Sequence, residues 1–535
     1  MHMPGKLWWV GTYLVLGALQ CGGNSPPNGD VIAAAVAPTW WVAESSTNIM
    51  EFFQPPAGAH ASPEMVMTAM IGETEHRQLV GRLPNSSRSP LRGVKLSFRS
   101  GSAPDANSLA PMPASWLSWR QQGYVRCTPG GVGYQPGLGP GWYPDPLMPP
   151  PAAGVTLTPN TTVSLWVTAT VPINATAGVY SAVGVVTAAG GHLLLEFDIS
   201  VTVWNIRLPS IAESGFGTAF EFDQQVPLIS NTTGPQAYWE FTCAHRMAPD
   251  ELYIFGSNPP PTPRAHADYT YMATQCGGPG GANWMNIAEI DYVLWSRRVN
   301  FTASMIEEKL AWMTPTVQWL EQQGFLNRSY CYGFDEAGPE YAWAIQQLFG
   351  AVKQRWPALR TMAVLNWNGT TDNLVEEVGS VVDVWVEDYR TYNKSMVTEW
   401  LSSSPKHEYW TYWCCCYELE LCMPCHMDRT CVLTRTCNHT TSSATIIRVL
   451  RLFRWFAGLN NFVEWPAIHN RLFAWLSAYR NATGLLYYET DRWFGGNEKE
   501  HANDPKQPIA FWDDSSGTAC DVSAAARVCD ASASV

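Results

Sequence analysis

The hydrophobic rhythm of the chain changes at Leu208-Pro209, and that change restricts the folds open to it. Upstream, from about Trp40, short runs rich in Val, Thr and Leu are broken by Pro and Gly, as in Val155 to Thr168 and Gly178 to Trp204. The spacing predicts strands over 178–187 and 192–204 joined by a turn at Ala188-Ala-Gly-Gly191, a hairpin of a β-sandwich. The Pro/Gly-rich stretch from Pro129 to Pro151 reads as a long surface loop. Downstream, strand-like runs alternate with amphipathic helical segments. Gly215 to Phe222, Val299 to Met305, Ser329 to Phe334, Thr361 to Trp367, Val381 to Val386, Glu408 to Trp413 and Gly484 to Tyr488 read as strands. Gln236 to Met247, Glu308 to Gln323, Pro339 to Trp356 and Ser443 to Leu459 read as helices.

Repeated strand–helix units predict a (β/α)8 TIM-type barrel, with a doubly wound open sheet as the rival. No Gly-rich phosphate loop follows a strand, which disfavours a nucleotide-binding open sheet. At 535 residues the chain exceeds a single core. The expected organisation is multidomain: a signal peptide and linker over 1–30, an N-terminal β-sandwich over 38–208, a catalytic barrel over 209–500 and a low-complexity tail over 501–535. On this reading the end of the barrel is shortened.

A barrel places chemistry at the C-terminal ends of its strands. The strand Ser329 to Phe334 ends in Asp335-Glu336, just before Pro339 opens a helix. Adjacent carboxyls resist double ionisation, so one can hold a proton near neutrality while its neighbour stays charged. Glycoside cleavage needs such an acid, together with a group that stabilises the cationic anomeric carbon. Glu336, with the longer reach, is assigned the acid/base role and Asp335 the stabilising one. A helix N-terminus that simply favours acids is the bland alternative. Glu387-Asp388, and Glu489 with Asp491, also follow strands. No G-x-S-x-G elbow and no H-E-x-x-H motif is present.

Composition narrows the partners. A net charge of -13 without a basic block argues against nucleic acid and against an anionic membrane surface. Charged residues make up only 15% while aromatics reach 12%, with 26 Trp, and flat indole faces suit the C–H faces of sugars. The apolar run Leu7 to Leu19 behind Lys6 reads as a secretory signal, shorter than a membrane span, with a signal anchor as the alternative. Ten N-x-Ser/Thr sequons begin at Asn85, Asn160, Asn174, Asn231, Asn300, Asn327, Asn368, Asn393, Asn438 and Asn481. They point to a secreted or cell-surface glycoprotein. Half of the 14 Cys crowd into an insertion over 414–437, where disulfides are the default in this compartment. Cys422-Met-Pro-Cys425-His426 matches a haem-attachment pattern, and zinc through Cys422, Cys425, Cys431 and Cys437 has the wrong spacing for a paired site. No metal and no cofactor is assigned.

Four segments carry a family resemblance: Leu165 to Pro172 with Ala177 to Tyr180 and Val201 to Pro209; Tyr332-Gly-Phe-Asp-Glu336; Glu408-Tyr-Trp-Thr-Tyr-Trp-Cys-Cys-Cys416; and Thr483-Gly-Leu-Leu-Tyr-Tyr488 followed by Trp493. In this order they resemble glycoside hydrolase family 123 and its relatives of unassigned function. The resemblance implies a retaining β-N-acetylgalactosaminidase acting on glycan or glycolipid termini. In such an enzyme the substrate's own 2-acetamido oxygen attacks the anomeric carbon, so no separate protein nucleophile is needed. Carried onto this chain, Asp335 orients the acetamido group and Glu336 acts as acid, then base. Tyr332, Trp367, Trp385, Tyr412, Tyr488 and Trp493, all at or near strand ends, are the expected sugar contacts. The Cys-rich insertion and the short segment after Trp493 depart from the family pattern. The rival functional reading is a non-catalytic glycan-binding protein on the same scaffold.

Overall fold

The computed structural model describes residues 37–59, 63–101, 110–128, 141–221, 234–250, 266–290, 299–365, 374–388, 391–413, 468–487, 510–511 and 519–521. The signal segment, Trp367, Tyr488, Trp493, the Cys-rich insertion and the expected helix over 443–459 lie outside the described residues.

Before residue 208 the chain forms two sheets that share one core. The first holds β1 (Thr39–Glu44), β3 (Thr74–Arg82), β9 (Thr162–Thr170), β6 (Leu117–Thr128) and β7 (Gly141–Met148). The second holds β2 (Met65–Ile71), β11 (Leu193–Arg207), β10 (Gly178–Thr187), β4 (Leu91–Ser100), β8 (Val155–Leu157) and the short β5 (Ala110–Pro111). Strand alternation turns Met65, Met67 and Ala69 of β2, Leu165, Val167 and Ala169 of β9, and Phe197, Ile199 and Val201 of β11 into one apolar cluster. The predicted hairpin is present, with β10 and β11 paired antiparallel from Gly178↔Val203 onward. Its turn passes through Gly190 and Gly191, both at positive φ.

One expectation needs correction here. The Pro/Gly-rich stretch is not all loop, because β7 pairs antiparallel with β6 despite Pro144 and Pro146. The prolines are tolerated because β6 is the only strand that pairs with β7 among the described residues, which leaves one edge with no ladder bond to supply. Within the C-terminal tail, β20 (Ala510–Phe511) and β21 (Ala519–Asp521) form an antiparallel pair, and β21 pairs with β6.

After residue 209 the chain builds eight parallel strands: β12 (Gly217–Glu221), β13 (Pro249–Asp250), β14 (Met285–Glu289), β15 (Ser329–Tyr332), β16 (Arg360–Val364), β17 (Val384–Asp388), β18 (Glu408–Trp413) and β19 (Gly484–Tyr487). Their spatial order is β13-β12-β19-β18-β17-β16-β15-β14, so neighbours in sequence are neighbours in space and β19 closes onto β12. This is a nearly closed TIM-like barrel, with no β13–β14 pairing among the described residues. Val299 to Met305 is not a strand as expected: Thr302 caps the helix Ala303–Gln323 by accepting from the Met305 N–H, and the missed strand is Met285–Glu289.

The barrel wall separates two cores. Ala219, Tyr330, Tyr332, Met362, Val364, Val384, Val386, Trp410, Tyr412 and Leu486 face inward, while Cys331, Ala363, Trp385 and Tyr409 face the surrounding helices. Trp410 fills the lower interior. A Cβ on Gly217 or Gly484 would lie 2.0 or 2.2 Å from its ring, so both positions need glycine.

Candidate active site

The segment after β15 explains how two consecutive acids can face one way. In a regular strand, residues 335 and 336 would point to opposite faces. Here Gly333 N–H donates to Met362 O at 3.1 Å and Ala337 N–H donates to Val364 O at 3.0 Å. Four residues on this side therefore match two on β16, and the surplus is a bulge. Its backbone is costly, because the non-glycine residues Phe334 and Glu336 sit at φ 57° and 53°. Phe334 anchors the outer side, buried edge-on against Phe301 and Phe349 in the layer between barrel and helices. The acids turn inward. Tyr332 Oη donates to Asp335 Oδ1 at 2.6 Å, and Tyr412 Oη, from the far strand β18, donates to Glu336 Oε1 at 3.1 Å. Both tyrosines belong to the inward-facing set. Asp335 is buried and Glu336 is half-buried, so Glu336 is the more accessible of the two.

Further acids end other strands at the same mouth. Asp250 closes β13 and accepts from Tyr330 Oη of the barrel interior. Glu289 closes β14 in register with Tyr332. Glu221 lies two residues beyond inward-facing Ala219, and Asp388 two beyond inward-facing Val386, so alternation turns both inward. All four are buried. Sequence reasoning named only Asp388 among them. The available signal was a short apolar run ending in Asp or Glu, which repeats in β12, β14 and β17.

The remaining expected site residues separate. Glu387 faces away from Asp388, fully buried outside the barrel, where Tyr409 Oη donates to it at 2.8 Å and Thr391 Oγ1 at 3.0 Å. Burial pushes its carboxyl up to about 7, and the two hydroxyl donors only partly offset this. Trp385 is likewise fully buried in the wall, edge-on to Trp400 and Tyr409, and offers no face to a sugar at the mouth. Tyr332 is fully buried too, and Tyr412 nearly so. Their hydroxyls meet the carboxylates of Asp335 and Glu336. Among the described residues no cluster of His, Cys, Asp and Glu is arranged to hold a metal ion, and no helix is long and apolar enough to cross a membrane.

No family model matches the sequence, and no curated protein matches it. The fold resembles that of a family 123 glycoside hydrolase from Clostridium perfringens, solved in a study of glycolipid glycan hydrolysis, with a TM-score of 0.58. The match covers 85% of this chain and 79% of that chain at 13% identity. A β-glucuronidase from Bifidobacterium dentium matches at TM-score 0.26 and 8% identity over 85% of this chain and 61% of its own. The sialic acid binding region of a Streptococcus sanguinis adhesin matches at TM-score 0.17 and 14% identity over 40% of this chain and 38% of its own. Scores as low as these last two carry no weight.

Proposed function

We propose that the chain is a glycoside hydrolase, a retaining β-N-acetylgalactosaminidase or hexosaminidase that uses the substrate's 2-acetamido group as nucleophile. The observation that carries this reading is the bulge at 334–336, which turns both carboxyls of an adjacent pair into the barrel mouth and gives each a tyrosine hydroxyl. A fold held in an unfavourable backbone conformation to aim two acids needs a reason, and acid/base chemistry at a strand end supplies one. In the first half, the acetamido oxygen forms a bond to the anomeric carbon as the bond to the aglycone oxygen breaks. That oxygen takes the bonding pair and the proton of Glu336, while Asp335 accepts a hydrogen bond from the acetamido N–H. In the second half, water adds to the anomeric carbon and opens the oxazolinium ion, whose N–H has stayed hydrogen-bonded to Asp335, and Glu336 takes the proton released. The likeness to a hydrolase of glycolipid glycans supports a glycan or glycolipid substrate.

We read the two N-terminal sheets as a β-sandwich over 38–208 beside a barrel over 209–500. The chain is further inferred to enter the secretory pathway: of the sequon asparagines within the described residues, all but Asn393 are exposed. Sensitivity of the protein's electrophoretic mobility to an N-glycan amidase tests that point. The activity is tested with aryl 2-acetamido-2-deoxy-β-galactoside and its 2-hydroxy counterpart. Glu336→Gln is expected to lower kcat by about a hundred-fold or more without changing Tm. Wild-type turnover that ignores the 2-substituent, or full turnover by the glutamine variant, removes the assignment.

A further inference from the structure

Resting on the hydrolase reading, we infer that Tyr412 is a positioning residue that aims Glu336 at the leaving-group oxygen. Glu336 sits on the bulge after β15, whereas Tyr412 is the fifth residue of β18, three strands away around the barrel. The 3.1 Å bond between them therefore spans the barrel interior. Tyr412 cannot drift to find this partner. Its ring is held in the inward cluster, two residues above Trp410, whose indole is itself wedged over Gly217 and Gly484. Glu336, by contrast, is half-buried and carries a long side chain on a backbone at φ 53°. A fixed phenol that holds one oxygen of so long a side chain sets the direction in which the other is presented.

The assignment also distinguishes the two tyrosines. Tyr332 is only three residues from Asp335 along the chain, so its 2.6 Å bond to Asp335 is a local one. Tyr412 is fixed on a different element and serves as an external reference for the acid. A phenol donating to a carboxylate also favours the charged form. Tyr412 therefore sets where Glu336 points and the pH at which it gives up its proton. A purely packing role for the ring would do neither.

The test is Tyr412→Phe, which keeps the ring and removes the hydroxyl. Two N-acetyl-β-hexosaminides are compared, one with an alkyl aglycone and one with a dinitrophenyl aglycone that departs without protonation. Aglycone departure with the alkyl substrate is expected to slow about ten-fold, the scale of a lost hydrogen bond to a charged group. With the dinitrophenyl substrate it should slow less than about two-fold, because acid assistance is not required there. The alkaline limb of kcat/KM should move up by about one pH unit. Equal losses on both substrates, or an unmoved limb, leave Tyr412 as packing and overturn the inference. If the phenylalanine variant fails to fold, 3-fluorotyrosine placed at 412 alone keeps the shape and strengthens the donor. The limb must then move down, and an unmoved limb again overturns the inference. Failure of the parent reading looks different: wild-type protein hydrolyses neither substrate, and both proposals fall together. Wild-type turnover abolished by Glu336→Gln but indifferent to Tyr412 removes only this one.

Discussion

Glu387 offers a measurement that reads side-chain direction through stability. Its carboxyl is fully buried between barrel and helices, accepts from Tyr409 and Thr391, and is pushed up to about 7 by burial from an ordinary value of 4.5. The folded protein therefore binds this proton up to about pH 7, whereas the unfolded chain releases it near 4.5. Between those limits the native state holds more protons than the unfolded one, so stability falls as pH rises. The stabilising contribution is complete below 4.5 and is lost as pH climbs through about 7. The gap corresponds to about 3 kcal/mol for this one group. Glu387→Gln keeps the shape and an oxygen to accept the Tyr409 hydroxyl, and it does not titrate. Urea unfolding followed by tryptophan fluorescence, at about pH 4.5 and about pH 8, should show the wild-type protein losing about 3 kcal/mol more than the glutamine variant between the two pH values. The glutamine variant should be the more stable protein at the higher pH. Equal losses in the two proteins would mean that Glu387 is solvated, pointing to the mouth beside Asp388, and the barrel register at β17 would be wrong.

Three other substitutions probe the frame around the site. Gly484→Ala puts a methyl 2.2 Å from Trp410, so the indole must move; a loss of about 3 kcal/mol is expected in thermal unfolding, with a fall in turnover because Tyr412 lies two residues along the same face. An unchanged Tm would show that Trp410 has free space. Cys276→Ser opens the disulfide to Cys243, which closes a separation of 33 residues; the chain-entropy model puts the loss at up to about 4 kcal/mol, and a reducing agent should lower the wild-type denaturation midpoint by more than the serine variant's. Thr302→Ala removes the cap from the helix Ala303–Gln323 and should cost about 1 kcal/mol, restored by Thr302→Ser.

The alternation of strand and helix after Leu208, the hairpin before it and the location of an acid pair at the end of a strand are local properties, and the sequence alone was enough to state them. Hydrophobic periodicity over six to twenty residues encodes them, and no distant partner can reverse that pattern. The strand Met285–Glu289 was missed because Met, Asn, Ala and Glu have little preference for strands and only Ile287 is β-branched, whereas the equally buried β17 is marked by Val and Trp. The run at 299–305 misled because the choice between strand and helix turned on a single cap at Thr302.

Direction was decided elsewhere. Whether Glu387 or Asp388 faces the mouth depends on the register of β17 against β16 and β18. One step of register would exchange the two, and register is fixed by residues tens of positions away. The same holds for Asp335 and Glu336. Their shared direction comes from a bulge measured against Met362 and Val364 of the neighbouring strand, and from phenols on Tyr332 and Tyr412 that meet them only once the barrel is formed. A sequence specifies which residues alternate. Which alternate faces the chemistry is set when hydrogen bonds between strands join segments that the chain keeps far apart.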